Sequence, residues 1–199
     1  MNTHTPKPSD LAKLVKEIGQ ELEFKEYIGK GDYGIVLKVA YQNSDLKLKV
    51  NWANEVEGRT DTLEREYQIL EDLAKKTNLA SKPIKLYDNV RCVWYNTKGK
   101  HAYLSEFIEG KPLSKSGKQS EISLTIALNN LMDEVHKAGY EFGSGSDLNP
   151  DNLILDKSGN LRLIDPMFLI PLKEKSPKTG FYMSAREKYI RDVIIRRCT

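Results

Sequence analysis

Apolar residues near the start of the chain recur at the spacing of a helix. They are Leu11, Leu14, Val15, Ile18 and Leu22, which share one face of an α-helix. Ser9 or Asp10, directly after Pro8, can cap such a helix with a side-chain oxygen. The pattern therefore predicts an N-terminal helix that packs on the main body of the protein.

The pattern then changes to the alternation and β-branched composition of strands. Three short strands are predicted at Tyr27–Gly29, Ile35–Tyr41 and Leu46–Asn51, because turn-forming residues separate them. Helical spacing returns at 61–76, and residues 84–108 are strand-like again, with a turn at 96–100. The first half of the chain is thus predicted to be rich in strands, with one main helix.

The second half is predicted to be more helical. Apolar residues from Leu124 to Val135 indicate a helix, and another is predicted at Ser184–Arg197. Between them, a hairpin is predicted around the turn Asp156-Lys-Ser-Gly. The break at Gly110–Gly117 is interpreted as a hinge, so the pattern predicts an α+β protein.

Composition narrows the class of protein without naming a function. The chain has 199 residues, of which 39% are hydrophobic and 30% charged, which is typical of a folded soluble protein. Its net charge of +3 is too small to indicate nucleic-acid binding. Cys92 and Cys198 lack metal-ligand spacing and form no disulfide framework, which favours a reducing compartment. No apolar run approaches the length of a membrane span, so we expect a cytoplasmic protein.

A glycine-rich loop follows the first predicted strand. Gly29, Gly31 and Gly34 allow a backbone to approach phosphate groups closely and to direct N–H groups at them. Dinucleotide-binding folds have similar glycines, but a helix follows their loop. Here a predicted strand follows, which leaves two interpretations, a phosphate-covering loop and a plain glycine hairpin.

A lysine and a glutamate occupy positions where charge is costly. Lys47 and Lys49 alternate with the apolar residues of the third strand, so they lie on its other face. Glu66 falls inside the apolar stripe of the helix at 61–76. A carboxylate that faces inward needs a partner. Lys47 and Lys49 are both candidate partners from the neighbouring strand, and a glutamate at the rim of the stripe would need neither. The choice of Lys49 comes from the resemblance given below.

The segment from Asp147 to Asp165 carries the strongest spacing signal. Asn152 lies five residues after Asp147, and Asp165 thirteen residues later. The predicted hairpin brings Asn152 and Asp165 to the same end of two paired strands, where two oxygen ligands suit Mg²⁺. The alternative is a turn rich in Asp and Asn with no metal, which explains the turn residues but not the joint spacing.

Together these segments resemble the protein kinases of the Ser/Thr kinase superfamily, over roughly residues 24–170. The resemblance rests on the glycine loop, on Leu46-x-Leu48-Lys49, and on the catalytic-loop and metal-binding pattern around Asp147. It implies a bilobal fold, with an antiparallel-sheet N-lobe and a reduced, mostly helical C-lobe. The expected boundaries are a helical extension at 1–23, an N-lobe at 24–109 and a C-lobe at 110–199.

The resemblance also implies the cofactors ATP and Mg²⁺ and a set of roles. Asp147 would position the acceptor hydroxyl, and Lys49 with Glu66 would hold the phosphates. Asn152 and Asp165 would bind the metal. The strand after Tyr103 is similar to the segment whose backbone binds adenine, with Ser105 at the gatekeeper position. The expected nucleotide-binding residues are Gly29, Lys30, Gly31, Gly34, Val36, Lys49, Glu106 and Ile108.

The chain departs from the family pattern at several positions. Gly145-Ser146 replaces the usual His-Arg, and Asp165-Pro166-Met167 replaces Asp-Phe-Gly. No Ala-Pro-Glu motif occurs, and only 34 residues follow Asp165. The peptide-binding platform is therefore expected to be missing. Comparable trimming occurs in small bacterial, phage and effector kinases, and an effector would act in a host cytosol.

The expected function is an ATP- and Mg²⁺-dependent phosphotransferase, foremost a protein serine/threonine kinase. Two alternatives stay open, a small-molecule kinase that acts on a hydroxyl acceptor and a pseudokinase that acts as a binding module. Residues 166–199 contain eight Lys and Arg against three Asp and Glu. The final helix therefore either packs on the C-lobe with its arginines in water, or it offers its basic face to an acidic protein partner, a membrane or another phosphate-bearing surface. No nucleic-acid partner is expected.

Overall fold

The computed structural model describes residues 6–30, 34–51, 62–92, 97–142, 150–166, 169–172, 189 and 191–199. The protein is a mixed α+β chain whose named strands pair in antiparallel fashion. It divides into two compact units. Unit 1 comprises Met1–Tyr67 and Lys82–Phe107, and unit 2 comprises Gln68–Ser81 and Ile108–Thr199.

Unit 1 is built on a five-stranded sheet with the order β1-β2-β3-β5-β4. The strands are β1 (Glu23–Lys30), β2 (Gly34–Tyr41), β3 (Ser44–Asn51), β4 (Pro83–Cys92) and β5 (Thr97–Glu106). A two-residue turn joins β2 to β3, with positive φ at Gln42 and Asn43, as tight hairpins require. The predicted strands are present, but β1 begins four residues earlier than expected, and β5 includes most of the predicted turn at 96–100.

The helix α1 (Pro8–Ile18) contributes to the core on one face of this sheet. Leu11, Leu14 and Val15 are buried with apolar side chains from the strands. The predicted cap is wrong. The N-cap residue is Lys7, without a side-chain cap bond, because proline occupies the start of the helix and places Ser9 and Asp10 inside its first turn.

The helix α2 (Thr62–Lys76) lies where the pattern predicts a helix, and Leu63, Leu70 and Leu73 of its apolar stripe are buried. Its first residues, up to Tyr67, belong to unit 1, and those from Gln68 belong to unit 2. Glu66 is buried in unit 1 together with Leu63. The sequence therefore placed this glutamate correctly on the buried side of the helix.

Unit 2 contains α3 (Glu121–Lys137) and a C-terminal helix, α4, at 191–198. The inner face of α3 buries Leu124, Leu128 and Leu131, and α4 buries Ile194. The carbonyl of Cys198 accepts a hydrogen bond from the Gln119 N–H at 2.9 Å. Thus α4 is tied to the segment that leads into α3, and part of the predicted final helix is confirmed. Residues 184–188 and 190 lie outside the described part of the chain.

The described residues of unit 2 also contain five short strands: β6 (Gly110–Pro112), β7 (Tyr140–Phe142), β8 (Leu153–Asp156), β9 (Leu161–Leu163) and β10 (Leu169–Pro171). They form the sheets β6-β8-β9 and β10-β7. The predicted break at Gly110–Gly117 thus contains a paired strand. A side chain at Gly110 would collide with Ile154 and with the Leu155 carbonyl, so glycine is required there by close packing.

No helix among the described residues is both long and apolar enough to span a membrane.

Candidate active site

One face of the sheet in unit 1 is polar and the other is apolar. Lys49 lies opposite Val36 on β2 and opposite Tyr103 on β5, while Lys47 lies opposite Ser105. Directly opposed residues share a face. Their neighbours in sequence belong to the apolar core to which α1 contributes. These neighbours include Leu46, Leu48, Val50, Leu37 and Leu104. Alternation along β3 therefore presents both lysines on the face away from α1.

Lys49 and Glu66 form a buried ion pair. The ammonium of Lys49 lies 2.7 Å from Oε2 of Glu66, and the two residues are 6% and 0% exposed. The pairing that the strand and helix patterns predict is confirmed. The geometry follows from two local rules, alternation along β3 and the inward angle of Glu66 on α2.

Tyr103 is a residue of this site whose role the sequence did not reveal. Its hydroxyl donates to Oε1 of Glu66 at 2.5 Å, and the residue is 0% exposed. A buried carboxylate has several acceptor positions, so one lysine does not satisfy it. Together with the predicted strand pairing, that requirement is the signal that could have found a second donor on the neighbouring strand.

Lys47 lies close to the same tyrosine. Its ammonium is 5.3 Å from the centroid of the Tyr103 ring, within cation–π range, and the residue is 8% exposed. The alternation predicted for β3 is therefore observed: its lysines are buried on one face of the sheet, and its apolar residues are buried on the other.

The glycine loop joins β1 to β2 as a strand–loop–strand unit. Gly29 pairs with Val36, and Lys30 pairs with Ile35. Gly34 begins β2, while Gly31 lies outside the described residues. A methyl group added at Gly29 would meet nothing within 4 Å. Packing within the described structure therefore does not require glycine at this position.

The segment expected to bind adenine begins at the end of β5. Ser105 is fully buried there, and the amide N–H of Glu106 donates to the Lys82 carbonyl at 2.8 Å. Since this amide is engaged within the protein, the expected contact between the Glu106 backbone and adenine would have to use the Glu106 carbonyl oxygen. Ile108 is buried in unit 2; nothing tests the role of its backbone, which stays a prediction.

The hairpin of β8 and β9 brings Asn152 and Asp165 to one end. Leu153 pairs with Leu163, and the Ile164 N–H donates to the Asn152 carbonyl at 3.0 Å. At the opposite end, Oδ1 of Asp156 accepts two backbone hydrogen bonds, from Ser158 and Asn160, each at 2.9 Å. This Asx turn fixes the register, so residue 152 lies opposite residue 164, and Asp165 follows directly.

Hydrogen bonds to two backbone carbonyls hold the hairpin against the segment that follows α2. The Leu163 N–H donates to the Leu79 carbonyl at 2.7 Å, and the Arg162 guanidinium donates to the Ala80 carbonyl at 3.2 Å. On the other side, Ser114 donates to the carboxylate of Asp151. The predicted metal-binding end is therefore built on anchored strands rather than on an isolated loop.

The donor set at this end fits Mg²⁺ held jointly with a ligand. Asn152 offers an amide oxygen, and Asp165 offers a carboxylate. Within the described ranges, no group of three His, Cys, Asp or Glu residues could hold a metal by itself. Mg²⁺ is commonly bound through one or two carboxylates with substrate phosphates and water, so two protein ligands meet its requirement. The predicted catalytic residue, Asp147, lies outside the described residues.

The buried cysteine of α4 is a packing residue. Burial raises the pKa of the Cys198 thiol above its usual value. The thiolate is therefore disfavoured at neutral pH, and a nucleophilic role would work against this environment.

Fold and site define an α+β protein with a buried lysine–glutamate pair in one unit and an Asn–Asp hairpin end in the other. No protein-family model matches the chain.

Proposed function

We propose that the chain is an ATP- and Mg²⁺-dependent phosphotransferase of the protein-kinase-like type, acting on protein serine and threonine hydroxyls. The observation that carries this function is the buried pair of Lys49 and Glu66. A buried ion pair is weak evidence for stability, because well-packed apolar residues of similar volume often serve as well or better. An oriented cation on the polar face of a sheet is better explained by the phosphates of a ligand.

The remaining residues take roles consistent with this interpretation. Gly29, Lys30, Gly31 and Gly34 would cover the phosphates, with Val36 against the base. Glu106 and Ile108 would offer backbone groups to the base. Asn152 and Asp165 would hold Mg²⁺, which supplies charge neutralisation for the phosphates when bound. Asp147 would align the acceptor hydroxyl, so the chain would act through alignment and electrostatic stabilisation.

The decisive experiment measures binding and transfer separately. Calorimetry with Mg·ATP tests binding, and intact-mass measurement after incubation with ATP, Mg²⁺ and a generic protein substrate tests transfer. We expect Mg²⁺-dependent binding, added phosphate on protein, and a lower transfer rate in Asp147→Asn at unchanged affinity. An absence of Mg·ATP binding would overturn the nucleotide assignment. Binding without transfer to protein or to small hydroxyl compounds would favour the pseudokinase alternative.

Gly29 provides a second test, because the space around it is open. Gly29→Ala should leave the free energy of unfolding within about 0.5 kcal/mol of wild type, since the added methyl group meets nothing within 4 Å. It should weaken Mg·ATP binding by roughly tenfold, because the methyl group keeps a phosphate from approaching the backbone of the loop as closely as glycine allows.

Thermal unfolding and calorimetry on the same preparation check both parts of this prediction. Equal nucleotide affinity in wild type and Gly29→Ala would show that the loop is a plain hairpin.

A further inference from the structure

Glu66 receives a different donor on each of its two oxygens. Lys49 donates to Oε2 at 2.7 Å, and the Tyr103 hydroxyl donates to Oε1 at 2.5 Å. A carboxylate held at one oxygen can still rotate about its last side-chain bond. With both oxygens engaged from two strands, its plane is fixed, and so is the direction in which Lys49 is held.

Tyr103 is itself held in place from several sides. It lies directly opposite Lys49 in the β3–β5 register. Its ring packs against Tyr67 with centroids 6.1 Å apart, and the Lys47 ammonium lies 5.3 Å from its centroid. A side chain locked by packing is suited to orient its neighbour, because a loose support would not preserve the geometry.

The hydroxyl of Tyr103 has a specific purpose at this position. Phenylalanine would fill nearly the same volume without bringing a polar group into the interior, where it must be hydrogen-bonded to be tolerated. The hydroxyl is directed at Glu66, while the ring accounts for the packing. The polar part of the residue therefore acts on the ion pair.

We propose that Tyr103 is a positioning residue that, through Glu66, directs the Lys49 ammonium toward the phosphates of a nucleoside triphosphate. This role rests on the function proposed above and deepens it. Tyr103 touches neither the phosphates nor the metal in this role. Its effect is to limit the orientations of Lys49, so that the cation is in place before the ligand arrives.

The test removes only the hydroxyl, in the variant Tyr103→Phe, and measures the chemical accessibility of the Lys49 amine directly. The folded protein is treated briefly with acetic anhydride, and acetylation of Lys49 is measured by peptide mass mapping. We expect Lys49 acetylation to be faster in Tyr103→Phe by roughly tenfold, and Mg·ATP affinity to fall by a similar factor, as for the loss of one hydrogen bond to a charged group.

A matched control is available on the same sheet. The hydroxyl of Tyr87 donates a hydrogen bond to Glu21 at 3.3 Å. This is also a tyrosine–glutamate hydrogen bond, but it does not involve the glutamate that binds Lys49. Tyr87→Phe should leave both Lys49 acetylation and Mg·ATP affinity unchanged. If the substitutions only loosened the sheet, Lys49 acetylation and Mg·ATP affinity would change to the same extent in both variants. That result would overturn the positioning role.

The two proposals fail in different ways. If wild type binds no Mg·ATP, the phosphotransferase function fails, and the acetylation rates alone decide whether Tyr103 orients Lys49. If wild type binds Mg·ATP but Tyr103→Phe matches it in both measurements, the positioning role is overturned while the function stands.

If Tyr103→Phe does not fold, 3-fluorotyrosine can be placed at position 103, because it keeps the hydroxyl. Its fluorine resonance should shift when Mg·ATP is added, and an unchanged resonance would overturn the positioning role.

Discussion

Replacing Lys49 with methionine is expected to lower the free energy of unfolding by about 3–5 kcal/mol, because it leaves a charged carboxylate buried without its cation. Glu66 is fully buried in this structure, and the donor to its other oxygen, the Tyr103 hydroxyl, is neutral. The loss should be measured by urea unfolding, followed by circular dichroism.

Two further variants make this measurement specific to the buried pair. Lys49→Met combined with Glu66→Gln should recover much of the loss, because the uncompensated charge is removed. Lys25→Met breaks an exposed pair on β1, with Glu23 at 2.9 Å, and should cost no more than about 1 kcal/mol. A loss in Lys49→Met as small as that in Lys25→Met would contradict a buried charge at Glu66.

Asp165→Ala is expected to weaken Mg·ATP binding by at least about 100-fold, or roughly 2.7 kcal/mol, while the fold is retained. The expectation follows from its place next to Ile164, whose N–H bonds to the Asn152 carbonyl at the end of the hairpin. Mg²⁺ would lose its carboxylate ligand there, and an amide oxygen alone binds it poorly. Calorimetry with Mg·ATP and with Mg²⁺-free ATP separates the metal-dependent part.

Asp133→Asn serves as the control, because Asp133 is an exposed carboxylate on α3. It changes the net charge by the same amount and should bind Mg·ATP as wild type does. Wild-type affinity in Asp165→Ala would remove this residue from the metal site.

The part of the site that the sequence predicted depends on local rules. Alternation on β3 and the angle of Glu66 on α2 predicted the Lys49 pair, which is confirmed. The turn Asp156-Lys-Ser-Gly predicted the hairpin that brings the ends at 152 and 165 together, which is also confirmed. Spacing within one or two elements contains most of the signal, although the choice of Lys49 over Lys47 also used the resemblance of Leu46-x-Leu48-Lys49 to the kinase motif.

The part that it did not predict depends on pairing between distant segments. Strands β7 and β10 are three residues each and pair Phe142 with Leu169, so neither is long enough to show alternation by itself. Strand β6 was interpreted as a break because its Gly and Pro are turn residues, yet it pairs with β8. The role of Tyr103 likewise arises only once β5 lies beside β3.

The position of α1 has a consequence for how the protein is made. Its buried residues share their core with Val90 on β4 and Leu104 on β5. During synthesis, which proceeds at roughly 5–20 residues per second, α1 leaves the ribosome several seconds before those strands exist. The apolar stripe of α1 is therefore open to a chaperone of nascent chains for several seconds before β4 and β5 can cover it.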